Sequence, residues 1–200
     1  TPFKSASKVF LLTISLSASS SIDHLCLSSS STMICSQRSF GLNITLPYEQ
    51  TSNHVVAHSD KLINFYYFFV RKLNFVAESD AMVAFPGGFG TMDEVFETLT
   101  LIQTGKATIY PIVLLDSPGK NFWLNWLAFI RVELVDSGLI SADDLHLIHV
   151  TKNPAEAMEH IDRFYRIFHS YRFVGDSIVI RLNAQLHAQW VEHLERDFSD

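Results

Sequence analysis

The sequence predicts an α/β protein, a doubly wound parallel sheet with helices on both faces. Three observations carry that expectation. From Gly41 onward, short apolar runs alternate with helical periods in the order β-α-β-α-β-α, joined by short connections. The run Ala81 to Phe85 is closed by Pro86-Gly87-Gly88, as expected of a strand buried on both faces. Hydrophobic residues make up 48% of the 200 positions, enough to cover such a sheet on both sides.

The elements follow in order. Residues 1–40 are a serine-rich head with clusters at Ser17 to Ser21 and Ser28 to Ser31, and no period there lasts long enough to name an element. It reads as a linker or disordered segment ahead of one α/β domain over 41–200. Leu42-Asn43-Ile44-Thr45-Leu46 alternates and ends at Pro47, a short strand. Asn64 to Val70 is continuously apolar and reads as a buried strand running into a helix near Arg71. Beyond the Pro-Gly-Gly turn, Met92, Val95, Phe96, Leu99 and Ile102 form one helical stripe, with Gly105 placed to cap its end.

Ile112 to Leu115 is the next buried strand, with Pro111 tolerated at its start. Phe122 to Asp136 is an apolar helix stopped by Gly138, and Leu145 to Val150 is another strand. Asn153-Pro154-Ala155-Glu156 offers a cap, a proline at the first helical position and a glutamate at the third. Met158, Ile161, Tyr165 and Phe168 continue that helix. Val174 to Leu182 reads as a late strand and Ala184 to Phe198 as a terminal helix.

Composition limits the function. A net charge of -6 argues against wrapping a nucleic-acid backbone, so any anion must be held locally by a few cations and backbone amides. Cys26 and Cys35 form no metal-ligand or redox motif, and a reducing compartment, the cytoplasm, is expected. Val9 to Leu16, broken by Thr13 and Ser15, is too short to cross a bilayer; with Lys4 and Lys8 before it and Ala18 after, it faintly resembles a signal peptide, the lesser reading. His54 and His58 have i, i+4 spacing but lack the glutamate of a zinc motif, and with Asp60 they read as surface residues. No metal and no cofactor is expected.

The chemistry concentrates in Pro86-Gly87-Gly88-Phe89-Gly90-Thr91-Met92-Asp93-Glu94. Glycines at a strand-to-helix turn permit unusual backbone conformations and close approach of a ligand. The helix that follows aims its first free N–H groups and its positive end at the turn, a natural seat for phosphate. Thr91 adds a hydroxyl donor. Neither the dinucleotide fingerprint nor a P-loop is present. The competing structural account makes Thr91 and Glu94 a capping box and Asp93 a favourable charge for the helix dipole. Arg71 and Lys72, adjacent cations behind Phe68-Phe69-Val70, are awkward there without an anionic partner. Trp123, Trp126 and Phe129 fit a core or an interface between copies better than a base-stacking platform.

Arg71-Lys72 followed by this glycine motif resembles the LOG family, the cytokinin riboside 5'-monophosphate phosphoribohydrolases often labelled lysine decarboxylases. The likeness continues through Leu99 to Lys106, and through Gly41 to Gln50 and Ser170 to Asp176 as in longer bacterial-type members, covering residues 41–182. The resemblance implies a Rossmann-like fold, a homodimer or higher homo-oligomer, and hydrolysis of the N-glycosidic bond of a nucleoside 5'-monophosphate. Carried over by motif, Arg71 and Glu94 are the catalytic pair. Gly87, Gly88, Phe89, Gly90 and Thr91 form the phosphate-binding loop, and Lys72 is its basic neighbour. The family pattern also has an N-terminal glycine loop with no counterpart in residues 1–40. The first βαβ unit is therefore expected to be incomplete and the pocket to lack one wall. That departure keeps open a non-catalytic reading: an inactive member, or a carrier of nucleotide or molybdenum cofactor.

Overall fold

The structure is a computed structural model describing residues 11–14, 41–44, 60 and 62–198. The chain divides into two compact units, Thr1–Met158 and Glu159–Asp200. The first unit holds strands β1 (Leu11–Ile14), β2 (Gly41–Ile44) and β3 (Leu62–Phe65), then helix α1 (Phe68–Ala77). Strand β4 (Ala81–Ala84), helix α2 (Phe89–Gln103), strand β5 (Ile112–Leu115) and helix α3 (Phe122–Ile130) follow. A π-helical stretch (Arg131–Val135), a 3-10 helix (Ala142–Leu147), strand β6 (Ile148–Thr151) and the start of helix α4 (Pro154–Ile167) complete it.

The fold is α/β with parallel sheets flanked by helices, a Rossmann-like arrangement. The main sheet has the order β1-β4-β5-β6, and β4, β5 and β6 run parallel. β1 pairs antiparallel with β4, Leu11 opposite Ala84 and Ile14 opposite Ala81. The serine-rich head thus contributes a strand that its sequence does not announce, because Leu11, Leu12 and Ile14, interrupted by Thr13, carry no lasting period. β2 and β3 form a separate parallel pair.

Every residue of β4 and β5 is buried, as their unbroken apolar runs predict. Alternate residues Met82, Ala84, Ile112 and Leu114 join Phe75, Val95, Ile102, Tyr110 and Trp123 in one core cluster. α2 turns most of the expected stripe to the core: Val95 and Ile102 are buried, Met92 and Leu99 pack against the same cluster, and only Phe96 is exposed. Thr91, Glu94 and Thr98 are buried beside that stripe, which the apolar pattern does not foretell. Gly105, with φ 67°, follows α2 where the cap was expected.

Other differences have local causes. The predicted buried strand Asn64 to Val70 is instead the end of β3 and the start of α1, and Tyr66, Tyr67, Phe68 and Phe69 are exposed. A run of aromatics does not distinguish buried strand from exposed helix start by period. The helix from Phe122 ends as α-helix at Ile130 and passes through the π-helical stretch, with Gly138 at φ 71° beyond. The strand predicted from Leu145 begins only at Ile148. Before it Ser141 and Asp144 close a capping box, with Asp144 Oδ2 accepting from the Ser141 amide at 2.8 Å. Asn153 caps α4 through its side chain, accepting from the Ala155 amide at 2.9 Å. Glu156 does not close that box; it accepts from the Thr151 hydroxyl at 2.6 Å.

In the second unit α4 ends at Ile167. Phe168, expected to continue it, opens a hairpin of β7 (Phe168–Val174) and β8 (Ser177–Leu182) that turns at Gly175, φ 59°. The late strand is thus two strands, and the terminal helix α5 covers Ala188–Phe198. His54, His58, Cys26 and Cys35 lie outside the described residues. No described helix is long and apolar enough to cross a membrane.

Candidate functional site

The glycine turn leaves the carboxyl end of β4 and enters α2, the end of a parallel strand where α/β sheets bind ligands. Gly88 is the N-cap of α2, with extended backbone and no side-chain cap. The first helical bond described there runs from the Met92 amide to the Gly88 carbonyl at 3.2 Å. The amides of Phe89, Gly90 and Thr91 precede it in the first turn, where a helix has N–H groups to offer an anion. A capping box centred on Thr91 is excluded, since Thr91 lies inside the helix and the Glu94 carboxylate turns elsewhere.

The glycines of this turn are not needed for a left-handed backbone. None of Gly87, Gly88 and Gly90 is among the positive-φ glycines. Gly87 is required by contact: a Cβ there would lie 2.1 Å from Thr91 Oγ1 and 2.9 Å from Thr91 Cβ. At Gly88 a Cβ would meet nothing within 4 Å, so its outer side is open to a ligand. The Thr91 hydroxyl is fully buried beneath the turn and makes no hydrogen bond. Phe89, by contrast, is 95% exposed.

Arg71 and Glu94 meet at the starts of α1 and α2. The Arg71 guanidinium pairs with Glu94 Oε1, and both side chains are largely buried. Arg71 Nε also donates to the Leu42 carbonyl at 2.9 Å, which ties the guanidinium to β2. Glu94 Oε2 is buried and without a hydrogen bond. Burial pushes the Glu94 carboxyl above its ordinary value; Arg71 opposes that shift without cancelling it.

Lys72 points along the same crossing. Its Nζ lies 3.2 Å from Asp93 and 3.0 Å from Glu97. Burial lowers its pKa, but the pairs with Glu97 and Asp93 outweigh this and hold the ammonium above the ordinary lysine value. The structure thus brings Arg71, Lys72, Glu94 and the turn together. Asp93, read from the sequence as a charge for the helix dipole, is a partner of Lys72. Glu97 and the Leu42 carbonyl were not singled out in the sequence. Glu97 sits four residues after Asp93 on the same helix face, a spacing that could have found it; no sequence signal marks a main-chain oxygen. Among the described residues, no group of three His, Cys, Asp or Glu side chains is placed to hold a metal ion.

A family model described as "Possible lysine decarboxylase" matches residues 27–161, which include the whole of this site. The chain belongs to this family, the LOG family. The matched span begins inside the serine-rich head, ahead of Gly41, and stops short of residue 182.

Similar proteins carry LOG names. The chain is 32% identical over 94 residues to the probable cytokinin riboside 5'-monophosphate phosphoribohydrolase LOGL2 of Oryza sativa subsp. japonica, covering 47% of this chain and 37% of that one. It is 27% identical over 111 residues to the cytokinin riboside 5'-monophosphate phosphoribohydrolase LOG5 of Arabidopsis thaliana, covering 56% and 44% respectively. LOG2 of the same plant is 32% identical over 94 residues, 47% of this chain and 42% of its own length. The matches therefore span about two fifths of these LOG relatives.

Proposed function

We propose that the protein hydrolyses the N-glycosidic bond of a purine nucleoside 5'-monophosphate, such as one with an N6-modified adenine, to free base and ribose 5-phosphate. The observation that carries this reading is the buried Arg71–Glu94 pair beside a glycine turn with an uncapped helix start. The amides of Phe89, Gly90 and Thr91 receive the phosphate, with Lys72, already paired to Asp93 and Glu97, as a further N–H donor beside the turn. In the reaction a water oxygen bonds to C1' of the ribose as the C1'–N bond breaks, and the base leaves with a proton. Positive charge builds on the ribose as this happens. Glu94 Oε2, not engaged by Arg71, is the oxygen that opposes that charge or takes the proton of the attacking water. A homodimer or higher homo-oligomer in the cytoplasm belongs to the same reading, resting on the resemblance and the composition.

Lysine decarboxylation is the poorer reading despite the family description. It would require a lysine amine able to form an imine, which needs a depressed pKa. Lys72, the lysine of the site, is held charged by Asp93 and Glu97.

The test is incubation of the purified protein with adenosine monophosphate and isopentenyladenosine monophosphate, following free base by chromatography. Release of base that is lost in Glu94→Gln supports the hydrolase. Absence of release, with a nucleotide still raising the melting temperature, would replace it with a binding or carrier role.

A further inference from the structure

Phe89 is the first residue of α2, set between Gly88 and Gly90, and is 95% exposed, more than the other large hydrophobic residues exposed in the described chain. Its ring stabilises nothing in the fold at that exposure. It stands next to the backbone that is open to a ligand at Gly88, where a Cβ would meet nothing within 4 Å. The helix it opens crosses the start of α1 through the Arg71–Glu94 and Lys72–Asp93 pairs. The start of α1 also carries exposed aromatics, Tyr67 as N-cap and Phe68 as first residue.

We infer that Phe89 is the base-contacting residue of the site, offering its flat face to the purine while the neighbouring amides hold the phosphate. This inference rests on the nucleotide reading proposed above. Backbone amides and cations recognise the phosphate of any ribose 5-phosphate derivative alike. An aromatic face adds what they lack: affinity for a ligand that carries a base. Phe89 therefore separates substrate from the ribose 5-phosphate product, which has no ring to stack.

Calorimetric binding of adenosine monophosphate and of ribose 5-phosphate to the full chain tests this, in the wild type and in Phe89→Ala and Phe89→Tyr. Phe89→Ala is expected to weaken adenosine monophosphate about 10-fold, the scale of one lost base–aromatic stack, and to leave ribose 5-phosphate unchanged. Phe89→Tyr keeps the ring and should stay close to wild type. Equal weakening of both ligands in Phe89→Ala would overturn the inference, because the ring would then be shaping the turn. Unchanged binding of both would overturn it too, as would a shift in sedimentation showing that the ring is buried between copies. A wild type that binds neither ligand removes the nucleotide reading itself, and this inference with it.

Discussion

Arg71 donates to one oxygen of Glu94, 23 residues along the chain, and leaves the other oxygen of that buried carboxylate without a hydrogen bond. The arginine therefore anchors the carboxylate through one oxygen and leaves the other unpaired. Several expectations come from this asymmetry and from the turn beside it.

Replacing Glu94 by glutamine keeps the shape and removes the charge. Base release should fall by about 100-fold or more, the scale of a lost general acid–base group. Circular dichroism should show a folded chain. Near-normal turnover in that folded variant would end the catalytic assignment.

The acid limb of the activity profile should report Glu94. Its folded pKa lies above the ordinary 4.5, with burial as the main cause and Arg71 pulling the other way. If the carboxylate is the active form, kcat/KM will rise with pH with a midpoint above 4.5, and Arg71→Met will move that midpoint higher. For stability the sign is reversed. A carboxyl with a raised folded pKa binds its proton more tightly when folded. It costs nothing well below 4.5, and the cost grows as pH climbs through the unfolded and then the folded value. Urea unfolding of wild type against Glu94→Gln across this range would show it; a difference that does not vary with pH would contradict it.

Gly87→Ala should lower stability by roughly 1–3 kcal/mol, the usual penalty for overpacking, since its Cβ would lie 2.1 Å from Thr91 Oγ1. Adding Thr91→Ala removes the nearest atom but leaves Thr91 Cβ at 2.9 Å, so rescue should be partial. Gly88→Ala, with open space around it, should melt near the wild-type temperature while weakening phosphate ligands. A double-mutant cycle by thermal melting decides the first pair, and phosphate titration decides the last.

Lys72→Met should barely change the melting temperature, by no more than ~1 kcal/mol in stability, because Asp93 and Glu97 are partly exposed partners. Its raised pKa makes the contribution present below the ordinary 10.5 and lost as pH rises through the folded value. Nucleotide affinity should drop and its salt dependence weaken. A large melting shift with unchanged affinity would recast Lys72 as a structural residue.

The sheet was legible where its strands are buried on both faces, since Ala81 to Ala84 and Ile112 to Leu115 can hardly be anything else beside their turns. That Arg71, Lys72 and the glycine motif belong together was legible through residue type and order, and the structure brings them together. The tyrosine and phenylalanine run before Arg71 misled, because exposed aromatics have the composition of a core. On α2 the apolar stripe was legible apart from Phe96, but hydrophobicity cannot show that Glu94 is inside until its partner is known. What Gly87 does was hidden as well. Its need is a contact with Thr91, and a sequence shows glycine without showing whether space or backbone torsion demands it.

The bond from Arg71 to the Leu42 carbonyl hangs the guanidinium on β2, and β2 pairs with β3 over four residues each, apart from the main sheet. So short a parallel pair is among the least reinforced parts of such a fold, whereas β4 and β5 sit in its centre. On warming, the guanidinium should lose its strand tether while the core still holds together. If the protein is the hydrolase proposed above, base release would then stop at a temperature where the chain is still folded, and return on cooling.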